Sequence, residues 1–355
     1  MQDKIRVGVV GAGNNTRKFH IPQLQTIDDV EVVAIANRSV ASAKAAGEPF
    51  GITNVSDNWR EIIDDPSIDA VCIGTWPYMH APVTIAALEA GKHVLCEARM
   101  ACNAEEAHAM LDAAKKHPDL VVQLVPSPFT LAMDDTIHTM VHDGTIGDLL
   151  AVELADTSGN FQDPDAPLSW RQDASLSGLN MLTLGIRYEA LMRWVGPAKT
   201  VAATTSITVP QRTDADGKVH EIKIPDHITI TGRLENGAAY NMLFSAITGQ
   251  SPRNETRIYG SKATILVQTG VPAKLLLARK DDDGFLPVDI PPIPEDALPN
   301  GWRVEREFID AIRGIAPVRR TTFEDGVRYM EFTEAVHASA SKEVFLRLDN
   351  NTDRH

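Results

Sequence analysis

Two glycines directly follow the first apolar run of the chain, in the segment VGVVGAGNNTRKFH. Gly11 permits a tight turn, and Gly13 lets the backbone approach a ligand closely. Thr16 occupies the place of the third glycine of the usual dinucleotide fingerprint, so the motif is incomplete. Because an apolar strand precedes the loop and a helix follows it, the segment predicts a site for a dinucleotide pyrophosphate. The residues expected to form this site are Gly11, Gly13, Asn14, Asn15 and Thr16.

The second apolar run ends in Asn37, Arg38 and Ser39. At this place folds that prefer NAD carry an acidic residue, which binds the 2′-hydroxyl of the adenosine ribose. Asn37 would not repel a 2′-phosphate, and Arg38 and Ser39 offer it hydrogen-bond donors. We therefore expect NAD or NADP as cofactor, with NADP at least as favoured as NAD. The alternative is that Arg38 is an ordinary solvated charge.

Short β-branched runs alternate with helical patterns over residues 1–125. Such alternation predicts an α/β Rossmann domain with a parallel, doubly wound sheet. The predicted strands are Ile5–Val10, Val30–Ala36, Ala70–Thr75, His93–Glu97 and Leu120–Val125, and the predicted helices are Thr16–Ile27, Val40–Phe50, Ala81–Ala90 and Ala104–His117. The prolines of the following PSPF segment cannot continue a central strand, so we place a domain boundary there.

Residues 126–355 have a different pattern, with fewer crossovers and more turns. Asp216-Gly217 and Asn236-Gly237 separate short alternating segments between Val201 and Val267, which predicts antiparallel strands. Further strands are predicted at Leu149–Ala155 and Val344–Leu348, and helices at Ala132–His142, Gly178–Val195, Val304–Ile315 and Phe323–Ser341. The second domain is therefore expected to be α+β.

Composition excludes several classes of protein. The net charge of −14 opposes binding to nucleic acid. No apolar run is long enough to span a membrane, and we read no signal peptide in the first residues, so we expect a cytoplasmic protein. The three cysteines lack CxxC spacing, and the histidines lack ligand spacing, so neither a disulfide framework nor a metal site is expected.

The motifs resemble those of the Gfo/Idh/MocA family of nicotinamide-dependent oxidoreductases along the whole chain. The family patterns TPNxxH and GKHVLCEKP appear here as TWPYMH at 75–80 and GKHVLCEARM at 91–100. DGTIGDL, SWRQD, GLNMLTLGIRYEALMRWVG, ENGAAYNMLFS, ETRIYGSKATI and EREFIDAIRG then follow in the family's order and spacing. The resemblance implies that residues 126–355 form a substrate-binding domain with an open, largely antiparallel sheet, whose outer face mediates a homodimer or homotetramer.

The same resemblance implies which further side chains lie near the cofactor. These are Thr75, Trp76, His80, Glu97, Trp170 and Arg171. The alternatives are helix capping for His80, packing for Trp76, and loop anchoring for Trp170 and Arg171.

Three groups that the family uses in catalysis are absent at the matching positions. Ala98, followed by Arg99, replaces the lysine of the EKP motif. On the later DxGxHxxD helix, alignment on Gly185 puts Thr183 at the aspartate and Arg187 at the histidine. Arginine stays protonated near neutral pH and is not an ordinary general base. Either catalysis has been lost, or the site has been rebuilt for another substrate.

A period of 3.6 residues would place Asn180, Thr183 and Arg187 on one face of the predicted helix. We expect Arg187, with Arg99 or Arg171, to bind an anionic group of the substrate. An ion pair of Arg187 across the domain interface is the alternative. Tyr188 is an acid–base candidate by its chemistry, although it lies off that face. The catalytic candidates are Arg187, Thr183, Asn180, Arg99 and Tyr188.

Three functions agree with these features. The first is an NAD(P)-dependent oxidoreductase that acts on a hydroxyl or ketone of a sugar-like, possibly acidic, small molecule. The second is a glycosidase or lyase that uses transient oxidation with no net redox change, as some relatives do. The third is a dinucleotide- or sugar-sensing protein without turnover.

Overall fold

The computed structural model describes residues 4–270 and 272–348. The chain divides into two compact units, of which the first runs to Pro126 and takes in Arg303–Val327. The second comprises Ser127–Trp302 and the chain from Arg328 onward. The sequence predicts that residues 303–327 belong to the second domain. In the structure they group with the first, where Arg313 donates a hydrogen bond to the Asp28 carbonyl at 2.6 Å. The ends of the two predicted domains, at residues 1–3 and 349–355, lie outside the described residues.

Within the described residues, the first unit contains a six-stranded sheet in which all strand pairs are parallel. Its strands are β1 (Ile5–Val10), β2 (Val30–Ala36), β3 (Val55–Ser56), β4 (Ala70–Ile73), β5 (His93–Cys96) and β6 (Val122–Leu124), in the spatial order β3-β2-β1-β4-β5-β6. β4 and β5 are buried at nearly every position because helices cover both faces of such a sheet. This strand order confirms the predicted doubly wound domain. The chain adds strands to one side of β1 up to β3 and to the other side from β4 onward, and in such folds dinucleotides bind at this switch between β1 and β4.

The predicted helices occur in the expected order with shifted ends, and the short helices at Arg60–Asp64 and Ala174–Ser177 were not predicted. Five π-helical residues, Thr16–His20, lead into the first α-helix. The α-helices are α1 (Ile21–Gln25), α2 (Val40–Gly47), α3 (Arg60–Asp64), α4 (His80–Glu89), α5 (Ala104–Lys116), α6 (Asp134–His142), α7 (Ala174–Ser177), α8 (Leu184–Val195), α9 (Val304–Ile312) and α10 (Phe323–Lys342). The two units divide α10 after Val327.

A mixed, mostly antiparallel sheet organises the second unit, as predicted, and its described part has nine strands. The strands beyond β6 are β7 (Leu149–Thr157), β8 (Ala198–Ser206), β9 (Gln211–Thr213), β10 (Val219–Glu221), β11 (His227–Leu234), β12 (Ala239–Ser245), β13 (Asn254–Gly260), β14 (Ala263–Gln268), β15 (Lys274–Arg279), β16 (Leu286–Pro287) and β17 (Leu346–Arg347). The order in the sheet is β16-β15-β14-β13-β7-β12-β11-β8-β17, while β9 and β10 pair separately. β7 and β12 are parallel, and β11 alternates buried and exposed residues, so one face of the sheet is open.

The predicted helix at 178–195 is wrong in its first third. Gly178 has φ 64° and Leu182 has φ 46°, values that a right-handed helix does not continue through. The α-helix therefore begins at Leu184, with Thr183 at its N-cap, and Asn180 lies in the irregular segment before it. The helical period that grouped Asn180 with Thr183 and Arg187 does not apply to it.

Two kinds of feature are absent from the described residues. None of the helices there combines the length and the apolar composition that crossing a bilayer requires. In the same part of the chain, no three His, Cys, Asp or Glu side chains are grouped to hold a metal ion. The cysteines Cys72, Cys96 and Cys102 are buried free thiols.

Candidate functional site

The loop after β1 is fixed by contacts that only a glycine permits at one position. Gly11 has φ 87°, and a Cβ atom there would lie 2.6 Å from the Thr75 backbone nitrogen. Thr16, at the place of the third glycine, is buried and donates its hydroxyl to the Gly11 carbonyl at 3.2 Å. Asn37 accepts a hydrogen bond from the Ala12 amide at 2.7 Å. The incomplete fingerprint is therefore compensated by side chains that hold the same loop.

A cavity of about 410 Å³ opens at this loop, within the first unit. Gly11, Gly13, Arg38, Thr75 and Trp76 contribute to its wall. The Thr75 hydroxyl oxygen is buried and has no hydrogen-bond partner among the described residues. A glycine-lined cavity with an unpaired buried hydroxyl at the carboxyl ends of parallel strands fits a dinucleotide.

Asn37 and Arg38 both line the cavity, and Asn37 and Ser39 also support the backbone. Arg38 is exposed, and its guanidinium lies 4.7 Å from the centre of the Trp76 ring. Asn37 bonds the glycine loop and the Ser42 carbonyl, while Ser39 caps α2 through the Ser42 amide. Arg38 is therefore the member of this group that remains available to a ligand.

An acidic residue that the sequence reading missed also reaches the cavity. Asp57 follows β3, is exposed, and lines the wall together with Trp59. β3 has two residues, which is too short to produce a strand pattern in the sequence. A carboxylate that could accept a hydrogen bond from a ribose hydroxyl is thus present, but it follows β3 instead of β2.

The Glu97 carboxylate, directly after β5, connects the glycine loop to the interior of the first unit. Glu97 Oε1 accepts hydrogen bonds from the Asn15 side chain and from His20 Nε2, the latter at 2.9 Å. His20 Nδ1 lies 2.5 Å from Glu305 Oε1 on α9. His20 is fully buried, and the Glu97 side chain is 13% exposed. The sequence reading found Glu97 and Asn15 but neither His20 nor Glu305.

Opposing effects set the protonation of this cluster. Burial by itself lowers the pKa of His20, but the nearby Cys72 sulfur and the carboxylates of Glu305 and Glu97 raise that pKa well above its usual value. Burial raises the pKa of the Cys72 thiol to about 12, so near neutral pH Cys72 is uncharged and the carboxylates hold the proton on His20. For Glu97, burial raises the pKa, and the hydrogen bonds from His20 and Asn15 overcome this and lower it. Glu97 is therefore an ionised acceptor beside the glycine loop.

His80 has a supporting position at the start of α4. Its Nδ1 lies 2.8 Å from the Arg99 carbonyl, and its Nε2 lies 3.0 Å from the Thr75 carbonyl. The ring is fully buried, and burial lowers the pKa of His80. These contacts favour bracing of the chain after β4 and β5 over direct contact with a ligand.

The three candidates Arg99, Trp170 and Arg171 are divided between the two units. Arg99 belongs to the first unit and is buried. Trp170 and Arg171 belong to the second, where the Arg171 guanidinium lies 4.3 Å from the centre of the Trp170 ring. Ser169 caps their short helical turn.

Arg187 and Thr183 meet at a residue that the sequence reading did not single out. Asp156, near the end of β7, accepts hydrogen bonds from Arg187 Nε and, at 3.0 Å, from the Thr183 hydroxyl. The Arg187 guanidinium also lies 3.7 Å from the centre of the Phe129 ring. Burial lowers the pKa of Arg187, and Asp156 opposes that shift. All four residues lie in the second unit, so this ion pair is internal to that unit.

The terminal amino groups of Arg187 have no hydrogen bond to any of the described residues, although the residue is 9% exposed. Two terminal nitrogens of a nearly buried guanidinium, with four N–H donors between them, are therefore available to a ligand. A planar fork of this kind matches a carboxylate or phosphate.

The remaining two candidates occupy structural positions. Asn180 is buried and donates to the Ser177 carbonyl at 2.7 Å. Tyr188 is stacked on Phe332 at 3.7 Å between ring centres, and its oxygen accepts a hydrogen bond from the Ala198 amide. Burial raises the pKa of Tyr188, so its position favours packing over proton transfer.

Comparison with known proteins adds independent information. Residues 5–124 match the family model described as "Oxidoreductase family, NAD-binding Rossmann fold", and residues 135–266 match the "GFO/IDH/MocA C-terminal domain". A levoglucosan dehydrogenase of Pseudarthrobacter phenanthrenivorans is 29% identical over 348 residues, which cover 88% of each chain. An uncharacterised oxidoreductase of Rhizobium meliloti is 30% identical over 263 residues, 74% of each chain.

A solved structure resembles the whole chain. Levoglucosan dehydrogenase in complex with NADH and levoglucosan superposes with a TM-score of 0.85 at 26% identity, covering 97% of this chain and 99% of that one.

Proposed function

Because this chain belongs to the Gfo/Idh/MocA family of NAD-binding oxidoreductases, we propose that it transfers hydride between NAD or NADP and a carbon of a sugar-like substrate. The cofactor supplies the hydride acceptor or donor at its nicotinamide ring. Support comes chiefly from the cavity at the glycine loop, whose lining and strand setting suit a dinucleotide. The sugar-like substrate is supported by the levoglucosan dehydrogenase that matches most of the chain.

The residues that would hold the cofactor belong to the first unit. Gly11, Gly13, Asn14, Asn15 and Thr16 form the loop for the pyrophosphate. Asn37 and Ser39 support the adenosine end through the backbone, and Arg38 would bind there directly. Thr75 and Glu97 lie after β4 and β5 and would serve the nicotinamide half, with His80 behind them. Trp76, whose ring is stacked with the Arg38 guanidinium, would instead serve the adenosine end. Trp170 and Arg171, which belong to the second unit, are also proposed as cofactor-binding residues.

The acidic substrate anticipated from the sequence is supported by Arg187. Its Nε is bound by Asp156, while its terminal amino groups stay available. A carboxylate or phosphate on the sugar would accept from both amino groups in one plane. Thr183 would stabilise this arrangement through Asp156.

The activity is tested with purified protein and a panel of anhydrosugars, aldoses, uronic acids and cyclitols. We expect NAD⁺ or NADP⁺ to be reduced in the presence of at least one member, measured as the absorbance of the reduced nicotinamide. The reverse reaction is followed with the corresponding ketones and lactones. Absence of net turnover in both directions, with the cofactor bound, would overturn the proposal and favour a sensing role. Cofactor that leaves only on denaturation, with solvent label entering the sugar, would favour redox-assisted cleavage instead.

We further propose a cytoplasmic location and a homodimer or homotetramer that forms through the open face of the larger sheet. The location is supported by the three buried free thiols. The assembly is supported by that uncovered face, on which Glu153 accepts a hydrogen bond from Tyr259 at 2.7 Å and Asn241 and Arg257 line a hollow. Light scattering of wild type and Asn241→Glu tests it: a variant with unchanged mass would place the interface elsewhere.

A further inference from the structure

A histidine with both ring nitrogens engaged by carboxylates lies inside the first unit, and no step described so far uses it. His20 Nε2 is 2.9 Å from Glu97 Oε1, and its Nδ1 is 2.5 Å from Glu305 Oε1. The histidine and Glu305 are buried, whereas Glu97 is partly open. The histidine therefore connects an interior carboxylate to a partly exposed one that is bonded to Asn15 of the glycine loop.

Strand order determines which part of the cofactor Glu97 would serve. A dinucleotide spans the carboxyl ends of the strands, with its pyrophosphate at the loop after β1. The adenosine half lies over β2, where Asn37 and Arg38 are found. The other half must then lie over β4 and β5, and Glu97 directly follows β5. A carboxylate at this place could accept hydrogen bonds from the hydroxyls of the nicotinamide ribose.

The two oxygens of Glu97 are arranged differently. Oε1 receives the donors of His20 and Asn15, and Oε2 accepts from the Ala98 amide at 3.1 Å. A carboxylate oxygen has lone pairs for more than one donor, so a ribose hydroxyl can be added to this set. Without His20, the Glu97 carboxylate would lose the hydrogen bond from His20 Nε2, and its side chain would no longer be held in one rotamer.

We propose that His20, held by Glu305, is a positioning residue that fixes the Glu97 carboxylate for the nicotinamide ribose of the cofactor. This inference rests on the proposed function, since it takes NAD or NADP as the ligand. It adds a contribution from α9 to the cofactor site. It also explains why a charged pair is kept in the interior, where an apolar pair would pack without a desolvation cost.

Calorimetric binding of three ligands tests the proposal in the full-length protein. NADH and ADP-ribose both carry the ribose in question, whereas ADP stops at the pyrophosphate. For His20→Ala we expect about tenfold weaker binding of NADH and ADP-ribose, the effect of disturbing one charge-assisted hydrogen bond, and ADP affinity within about twofold of wild type. His20→Gln retains a side-chain donor and should lose less. Glu305→Gln should shift the same two ligands in the same direction by a smaller factor.

A matched control is His220→Gln, which removes a histidine paired with Asp214 in the second unit. It should bind all three ligands as wild type does. Equal weakening of ADP and NADH in His20→Ala and Glu305→Gln would mean that the cluster only supports the fold, and it would overturn the proposal. Unchanged NADH affinity in both variants would overturn it as well. If wild type binds neither NADH nor ADP, the proposed function itself fails, which is a distinct result.

Discussion

Replacing Arg187 by methionine separates recognition of an acidic group from recognition of the sugar. Methionine preserves much of the volume beside Phe129 but removes the charge and all of the donors. We expect a uronic acid to lose affinity, while the corresponding neutral aldose, which differs at one carbon, keeps its affinity within about threefold of wild type.

The magnitude follows from the surroundings of the guanidinium. Arg187 is 9% exposed, and one of its three nitrogens is used by Asp156, which leaves two for a ligand. Truncating one member of a buried charged hydrogen-bonded pair costs about 2–5 kcal/mol. Asp156 partly offsets the positive charge, so we take the lower part of this range, about 2–3 kcal/mol, or a factor of about 30–150 in Kd.

The same substitution leaves Asp156 without its cationic partner, so stability must be measured beside affinity. Two unit charges about 4 Å apart attract by about 4 kcal/mol at an effective dielectric constant of about 20, before desolvation is subtracted. Asp156 keeps the Thr183 hydroxyl, so we expect a net loss of about 2 kcal/mol in the free energy of unfolding by urea.

Two further variants isolate the ligand effect, with affinities measured by calorimetry for the uronic acid and the aldose. Asp156→Asn removes the negative charge that opposes the ligand, so it should tighten binding of the uronic acid several-fold relative to the aldose. Arg193→Met is the matched control, because its terminal nitrogens already bind Glu189 and Asp134, so it should cost stability without changing that ratio. An equal loss for both sugars in folded Arg187→Met, or no loss for either, would refute the reasoning.

The remaining predictions concern cofactor choice, packing and pH. Arg38→Ala should lower the ratio of NADPH to NADH affinity about tenfold, because it removes the exposed guanidinium beside Trp76; an unchanged ratio would exclude a contact with the 2′-phosphate. Tyr188→Phe should lower the free energy of unfolding by about 1 kcal/mol through the lost contact with the Ala198 amide, with turnover unchanged. A Tyr188→Phe variant that loses turnover while its free energy of unfolding is unchanged would instead indicate that Tyr188 is an acid–base group. The pKa of His20 is raised in the folded protein, so its stabilising contribution is present below the unfolded pKa and is lost as pH rises through the folded one. Chemical unfolding should accordingly show a stability difference between wild type and His20→Gln that shrinks from neutral to alkaline pH, and a difference that grows would contradict the assignment.

Local patterns predicted most of the first unit. β1 and β2 have the bounds expected from their apolar runs, because each run is bordered by turn residues and is covered on both faces. β3 and α3 were not predicted, since two and five residues are too few to show a period. Asp57 at the cavity was missed for the same reason.

Contacts between distant residues account for what the sequence did not reveal about the sites. His20 and Glu305 are 285 positions apart, and Arg187 and Asp156 are 31 apart. Neither spacing corresponds to a helical or strand period, so no local rule pairs them. The prediction that Asn180 shares a helix face with Thr183 and Arg187 was wrong for a related reason. Leu182 has a positive φ, and nothing in its residue type indicates that conformation.

The hydrogen bonds of each nearly buried cation, rather than the net charge of the chain, show which cation keeps donors for a substrate. His20 has both ring nitrogens directed at carboxylates, and Arg193 has each terminal nitrogen bound to a different one. Arg187 is also nearly buried, but its carboxylate takes Nε and leaves the two terminal amino groups without a described protein partner. These amino groups are not among the fully buried unpaired atoms of the described residues, so water can satisfy them in the free protein and an acidic group of a substrate can replace that water. In a chain of net charge −14, the same donors also give an acidic sugar a local attraction that the overall charge would deny it.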